Sequence, residues 1–223
     1  MSQTSYFPWI TVSTDQYELM DQIFILELPN NFEWNIALEG FDKQLLAVFN
    51  VVRNVTATMD QAMKNNIRLD PSVIEAAICF TETRLLISAV TEGEKAQKIM
   101  NELCCLGIPL YLSTLRTRPL KTPMWEAGHY TQFVAKLRSR LGSIDIETML
   151  CPPLYIWAVL FGGIVAQDDE SRQWFVARLR QATASLRLYS WNSLVQAFKG
   201  FLWVEKLHDE PSRRLWDAAV TSE

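Results

Sequence analysis

The sequence predicts one all-α domain of about eight to ten helices. Apolar residues recur at steps of three and four along most of the chain, which is the spacing of one helix face. The 223 residues include only eight glycines and nine prolines, fewer than the roughly 12% of an average protein. Alternating runs joined by a hairpin turn do not occur in the sequence, and residues 10–14 are its only strand-like fragment.

The first two predicted helices precede residue 67. Apolar residues at turn spacing predict a short helix over residues 15–28, which the Pro29-Asn30-Asn31 segment ends. A long helix is predicted over residues 41–66, because its apolar residues share one face and most of its charged residues fall elsewhere. That face comprises Leu45, Val48, Val52, Val55, Met59 and Met63.

Two further helices are predicted between residues 70 and 116. Asp70-Pro71 opens the first, since the aspartate can cap free N–H groups and proline suits the first helical position. The second is predicted over residues 94–106, with an interruption at Gly107 and Pro109 before it resumes over residues 111–116. Two prolines then predict a linker near residues 119–123.

The C-terminal half is predicted to contain five helices. Gly142 suits a C-cap, the acidic residues 168–170 complement the dipole at a helix start, and Ser190 can act as an N-cap. The first three of these helices cover about residues 130–142, 153–167 and 168–182. The fourth begins after Ser190 and is long, with an apolar face that extends to Leu202, and the fifth begins at Pro211. Residues 1–34 are assigned to an N-terminal segment with a short helix, and residues 35–223 to the helical domain.

One uncharged stretch, residues 148–167, is as long as a membrane span. Pro152 and Pro153 interrupt it, and the helix that follows would be about 22 Å long at 1.5 Å per residue. This is short of a hydrocarbon core of about 30 Å. We therefore expect a buried core helix and no membrane association.

Tryptophan is abundant, with eight residues in the chain. Trp157, Trp174 and Trp191 lie 17 residues apart on three successive predicted helices, and Trp203 and Trp216 follow. Each indole can bury about 150–250 Å². The tryptophans are therefore expected to form the packing centre of the domain rather than a cofactor site.

Charge and cysteine content restrict the classes of function. The net charge of −4 gives no general attraction to nucleic acid or anionic lipid. Residues 113–140 include six basic residues and one acidic residue, whereas residues 1–50 include one basic residue and seven acidic residues. We interpret the basic group as a solvated surface, because no nucleic-acid-binding motif accompanies it. The four cysteines lack metal-binding or disulfide spacing and are expected to be reduced, buried thiols: Cys79, Cys104, Cys105 and Cys151.

Residues that could carry catalysis are few. His129 and His208 lie in no catalytic motif and are expected to have surface or capping roles. Gly162-Gly163 lies within an apolar predicted helix and is expected to allow close helix packing. Asp168, Asp169 and Glu170 are expected to cap a helix rather than bind a metal. We predict no catalytic, cofactor-binding, metal-binding or DNA-binding residue, and no ligand-binding residue can be assigned.

Three segments of the chain resemble the regulatory domain of fungal-specific transcription factors. The run LYIWAVLFGGIVAQDDESRQWFVARLRQA, from residue 154, is similar to that family's apolar GG-containing helix and the RxWFxxxLR motif after it. Residues 105–119, CLGIPLYLSTLRTRP, resemble its LYL-x-x-LR-x-x-P helix. Ser190-Trp191 with residues 199–203 resembles its closing SW…FLW pattern, and the resemblance extends over about residues 35–218.

The resemblance implies an all-α regulatory domain, the middle homology region of zinc binuclear-cluster factors, located in the nucleus. It implies partners among the transcription machinery or a DNA-binding regulator, a small effector, and regulation of a biosynthetic gene cluster. The six-cysteine zinc cluster of such factors does not match the cysteines here. Direct DNA binding by this chain is therefore not expected, and the chain is either part of a larger factor or a stand-alone relative.

A small all-α enzyme with an apolar aromatic pocket is the alternative. Helical enzymes of the terpene type use aspartate-rich metal motifs such as D-D-x-x-D. The run from Asp168 to Arg172 lacks the last aspartate. We accordingly predict a chain that is not an enzyme and has no cofactor.

Overall fold

The computed structural model describes residues 43–69, 71–88, 95–116, 128–149, 151–198 and 201–221. Within these ranges the chain forms eight α-helices and no β-strand, which confirms the predicted fold class. The helices are α1 (Lys43–Lys64), α2 (Pro71–Ser88), α3 (Lys95–Arg116), α4 (Gly128–Gly142), α5 (Pro152–Val165), α6 (Asp169–Ser185), α7 (Trp191–Phe198) and α8 (Glu205–Thr221). A 3₁₀ turn, Ile146–Thr148, precedes α5. The helix expected over residues 15–28 and the N-terminal segment 1–34 lie outside the described residues.

Helix α5 is the centre of the fold. It packs against α3, α4, α6 and α8, and its residues 154–163 are all buried. Burial of an apolar side chain contributes about 1.5–3 kcal/mol relative to exposure, so this helix holds its neighbours together. The uncharged stretch is thus a core helix, as the sequence predicts. None of the helices in the described ranges has the length and apolarity that a membrane crossing requires.

Two sequence-predicted boundaries at prolines are wrong, and α7 ends at Phe198 although its predicted apolar face extends to Leu202, which lies outside a helix. Helix α3 continues through Gly107 and Pro109 instead of breaking there. A proline inside a helix costs about 3 kcal/mol, but Ile108, Leu110 and Tyr111 beside it are all 0% exposed, and their burial offsets that loss. Similarly, α8 begins at Glu205 rather than at Pro211.

Aromatic packing is centred on Trp157 of α5. Its ring is 0% exposed, meets Phe201 edge-on with centroids 5.2 Å apart, and donates its Nε1–H to the carbonyl of Leu202 at 3.1 Å. Trp216 is also buried, whereas Trp174, Trp191 and Trp203 are only half-buried. The expectation of a tryptophan packing centre therefore holds for Trp157 and Trp216, while the other three lie at the edge of the core.

Glycines provide the close approach between helices. A Cβ atom at Gly107 of α3 would lie 2.6 Å from Cζ3 of Trp157, and one at Gly163 of α5 would lie 3.0 Å from Cδ1 of Leu215. A Cβ at Gly162 would overlap the ring of Phe175 on α6. The Gly162-Gly163 pair thus permits close helix packing, as expected from the sequence.

Substitution of Gly162 by alanine is expected to destabilise the protein. The added methyl must displace a ring that is 1% exposed and fully packed, and such overpacking costs about 1–3 kcal/mol. Gly142→Ala is the matched control, since a Cβ there meets only Trp174 at an ordinary 3.7 Å. Urea unfolding should show a lower midpoint for G162A and an unchanged or higher one for G142A. Equal stability of the two variants would refute the packing role of Gly162.

Candidate functional site

A cleft opens where α1, α7 and the start of α8 meet. Its volume is about 420 Å³, within the range of small-ligand sites. We call it the tryptophan–carboxylate cleft. It is lined by Asp60, Lys64, Trp191, Asn192, Val195, Gln196, Trp203, Glu205 and Asp209.

One wall of the cleft is an ion network between α1 and α8. Lys64 Nζ lies 2.6 Å from Asp60 Oδ2 and 3.7 Å from Glu205 Oε2. The backbone N–H of Glu205 also donates to Asp60 Oδ1 at 3.3 Å. The hydrogen bond to Asp60 raises the pKa of Lys64, so the ammonium is fully charged at neutral pH. This network fixes the N-terminus of α8 against α1.

The floor of the cleft is Trp203. Its Nε1–H donates to Asp209 Oδ1 at 3.1 Å, which orients the half-buried indole. The ring packs edge-on against Phe161, with centroids 6.3 Å apart, and in a tilted arrangement against His208, with centroids 5.5 Å apart. A core helix therefore supports the floor from below.

The opposite wall carries Trp191 at the start of α7. The guanidinium of Arg213 lies 5.4 Å above this ring and is paired with Asp217 at 3.1 Å. Trp216 meets the same indole at a centroid distance of 6.4 Å. Ser190 caps α7 by accepting a hydrogen bond from the N–H of Ser193 at 3.1 Å, as its sequence position predicts.

His208 packs against the ring of Trp203 and is 0% exposed, so of the two roles expected for it the surface role does not apply. It does act as a cap, because its Nδ1 accepts the backbone N–H of Val204 at 2.9 Å at the start of α8. Thr114 donates its hydroxyl to the carbonyl of Tyr111 at 2.6 Å, and its Oγ1 therefore accepts from His208 Nε2–H at 2.8 Å. This pattern requires the neutral ring, and burial lowers the pKa of His208 to about 3.

A second polar cluster joins α2, α3 and α4. The guanidinium of Arg116 donates to Glu82 at 3.1 Å and 3.3 Å, to Glu75 at 2.9 Å, and to the hydroxyl of Tyr130 at 2.8 Å. Arg116 is 5% exposed and Glu82 is 3% exposed. Burial raises the pKa of Glu82, which Arg116 opposes. These contacts satisfy the guanidinium on all sides and make the cluster a clamp between three helices.

The position of Arg116 corrects the interpretation of residues 113–140 as a solvated basic surface. Arg138 and Arg140 are about one-third exposed and pair with Glu170 at 2.8 Å and with Glu102 at 2.5 Å. Arg118 and Lys121 lie outside the described residues. Among the described residues, therefore, Arg116 lies in a buried clamp and Arg138 and Arg140 form surface ion pairs, whereas Lys136 is exposed, as the interpretation expects.

The other residues singled out from the sequence have structural positions. Asp168 caps α6 by accepting the N–H of Ser171 at 2.7 Å, as expected. The part of the chain that the structure describes holds no cluster of His, Cys, Asp or Glu able to bind a metal. The four cysteines are free thiols, but only Cys104 and Cys151 are fully buried. The side chain of His129 lies outside the described residues.

Sequence reasoning did not find the cleft. Its residues come from positions 60–64 and 191–209, which only the docking of α8 on α1 brings together. The signal in the sequence is the abundance of tryptophan, including Trp191 and Trp203, which the sequence pattern assigns to core packing. No family model, curated protein or solved structure matches the chain. The candidate site is thus defined by its own geometry.

Proposed function

We propose that this chain is a transcription-regulatory helical domain of a fungal regulator. It acts in the nucleus by binding another regulatory protein or a small effector, and it regulates the genes of a biosynthetic cluster. Contact with DNA is left to a separate DNA-binding module or partner. The observation that carries the proposal is the tryptophan–carboxylate cleft.

The positions of the segments that resemble fungal regulators support this function. Within the described residues, positions 105–116 belong to α3, positions 154–180 cover most of α5 and of α6, and positions 191–198 with Trp203 provide α7 and the floor of the cleft. The first two groups thus build the core, and the third presents two indoles on an accessible surface. Tryptophan is enriched where proteins bind partners, because its ring combines a large apolar area with a polar N–H.

The charge of the cleft supports a ligand other than DNA. Its lining has three carboxylates, Asp60, Glu205 and Asp209, against the single ammonium of Lys64. Nucleic-acid sites instead present lysine and arginine to phosphate, and that attraction supplies most of non-specific affinity. A phosphate backbone would be repelled from this cleft.

Fusion of the full chain to a heterologous DNA-binding domain in a fungal cell tests the proposal. The fusion is expected to change transcription of a reporter relative to the DNA-binding domain alone. Gln196→Arg, which extends a long side chain from an exposed position into the cleft, should abolish the change. Gln173→Arg, an equivalent substitution on the exposed face of α6, is the matched control and should leave it intact.

Two results would contradict the proposed function. One is a stable, nuclear fusion that leaves the reporter unchanged. The other is specific DNA binding at nanomolar concentration by the purified chain in an anisotropy titration, because the domain would then contact its target genes directly.

A further inference from the structure

The lining of the tryptophan–carboxylate cleft has an excess of negative charge. Lys64 is held by Asp60 at 2.6 Å and is 3.7 Å from Glu205, so one ammonium serves two carboxylates. Asp209 adds a third carboxylate on the next turn of α8, where it orients Trp203. The net charge of the lining is therefore −2, and the cleft attracts cations.

Indole rings form two sides of the same cavity. The face of a tryptophan attracts ammonium and guanidinium groups, with an energy that rises as water is excluded. The guanidinium of Arg213, which pairs with Asp217, lies 5.4 Å from the centroid of Trp191 and is an example of this contact within the chain. Trp203 is held in one orientation by its bond to Asp209 and by the ring of Phe161 below it.

A neutral apolar ligand would fit these walls less well than a cation. It would remove water from a lining of net charge −2 without balancing that charge, which is unfavourable. An anion would be repelled. A ligand with both a cationic group and an apolar body matches the whole lining. Its cationic group would lie near Glu205 and Asp209, and its apolar body would pack against the indole rings.

We propose that the tryptophan–carboxylate cleft binds an organic cation, an ammonium or guanidinium group carried on an apolar body. This inference rests on the proposed function, since it names the chemistry of the effector or partner side chain that the regulatory domain receives. The cation belongs either to a free amine or to an arginine of a partner protein, and both present the same chemistry to the cleft.

Binding of a matched pair of ligands to the purified full chain tests the charge requirement. Phenethylamine and 2-phenylethanol have nearly the same shape, and only the amine is charged at neutral pH. Titration followed by tryptophan fluorescence and calorimetry at low ionic strength should give an affinity for the amine at least about fivefold higher, the effect of one ion pair in water. Equal affinities for the amine and the alcohol would overturn the inference. The absence of binding by both of these ligands and by both peptides described below would also overturn it.

Charge variants locate the site. Glu205→Gln and Asp209→Asn each remove one negative charge and should weaken amine binding about fivefold; the asparagine oxygen can still accept the N–H of Trp203. Lys64→Gln removes the internal cation and should strengthen binding by a similar factor. Glu147→Gln, at an exposed acid of the 3₁₀ turn, is the control and should have no effect. Amine binding that is insensitive to the three cleft variants would also overturn the inference.

A pair of peptides distinguishes the two sources of the cation. Acetyl-Ala-Arg-Ala-amide is expected to bind more tightly than acetyl-Ala-Gln-Ala-amide if the cleft receives an arginine, with the same response to the charge variants. Preference for phenethylamine over the arginine peptide assigns the cleft to a free amine; either preference supports the inference. These titrations do not depend on transcription. Failure of cation binding with an intact reporter response would therefore overturn the inference alone, and a silent reporter would contradict the proposed function alone.

Discussion

Replacement of Arg116 by methionine is expected to lower the free energy of unfolding by about 3–5 kcal/mol. The loss arises because Glu82, which is 3% exposed, keeps its burial but loses the guanidinium that holds both of its oxygens. Such a loss is a large part of the total stability of a domain of this size. Urea unfolding at pH 7.5 measures it directly.

A double variant separates two contributions to the loss of stability in R116M, the unpaired charge of buried Glu82 and the lost packing of the Arg116 side chain. The double variant Arg116→Met/Glu82→Gln has no unpaired carboxylate there and should recover part of the lost stability. Arg138→Met is the surface control, because Arg138 pairs with Glu170, which is 81% exposed, and exposed pairs contribute at most about 1 kcal/mol. If R116M costs no more than R138M, the clamp does not stabilise the fold.

Acidification from pH 7.5 to pH 5 is expected to cost about 2 kcal/mol through His208 alone. The unfolded chain binds a proton near pH 6.5, whereas the folded protein resists protonation until the pKa of about 3 that burial imposes. The stabilisation is complete above pH 6.5 and is lost as the pH falls towards 3. A protonated ring would also direct an N–H at the N–H of Val204, which Nδ1 now accepts.

His208→Phe isolates this contribution. The phenyl ring keeps the aromatic contacts with Tyr111 and Phe161 but has no proton to bind. It is expected to be less stable at pH 7.5, since Val204 loses its acceptor, and to have a flatter stability profile between pH 7.5 and 5. Glu82, whose raised pKa acts in the opposite direction, is present in both proteins and cancels in the difference. Identical pH slopes for the two proteins would show that His208 is not held neutral.

Local pattern was enough to place several elements. The apolar face of α1 repeats over five turns, and Leu45, Val48, Val52, Val55 and Met59 are all buried, as periodicity requires. The caps at Asp168 and Ser190 follow from short-range hydrogen bonds that sequence encodes directly. The residues of α5 carry no charge, and this predicts that the helix is buried, because apolar residue types are the ones most often found in protein interiors.

Proline and charge misled the sequence interpretation where distant packing dominates. Pro109 has a local cost that the burial of its neighbours in α3 outweighs; Tyr111, for example, packs against Trp157 and Phe161 of α5. Arginine is a residue type that is mostly found at the surface. Arg116 is nevertheless buried, because Glu75 and Glu82, 41 and 34 positions away, bind it inside the fold. His208 likewise depends on Thr114, 94 residues earlier. Periodicity carries no information about such partners.

The sequence by itself determined the all-α class, most helix positions and the caps, because these depend on interactions within a few residues. The tertiary structure decided which charges are buried, that His208 is neutral, and that two of the half-buried tryptophans face a cleft. The physical reason is that burial and cleft shape depend on which helices dock, as when Glu205 of α8 meets Asp60 of α1 across 145 positions of chain.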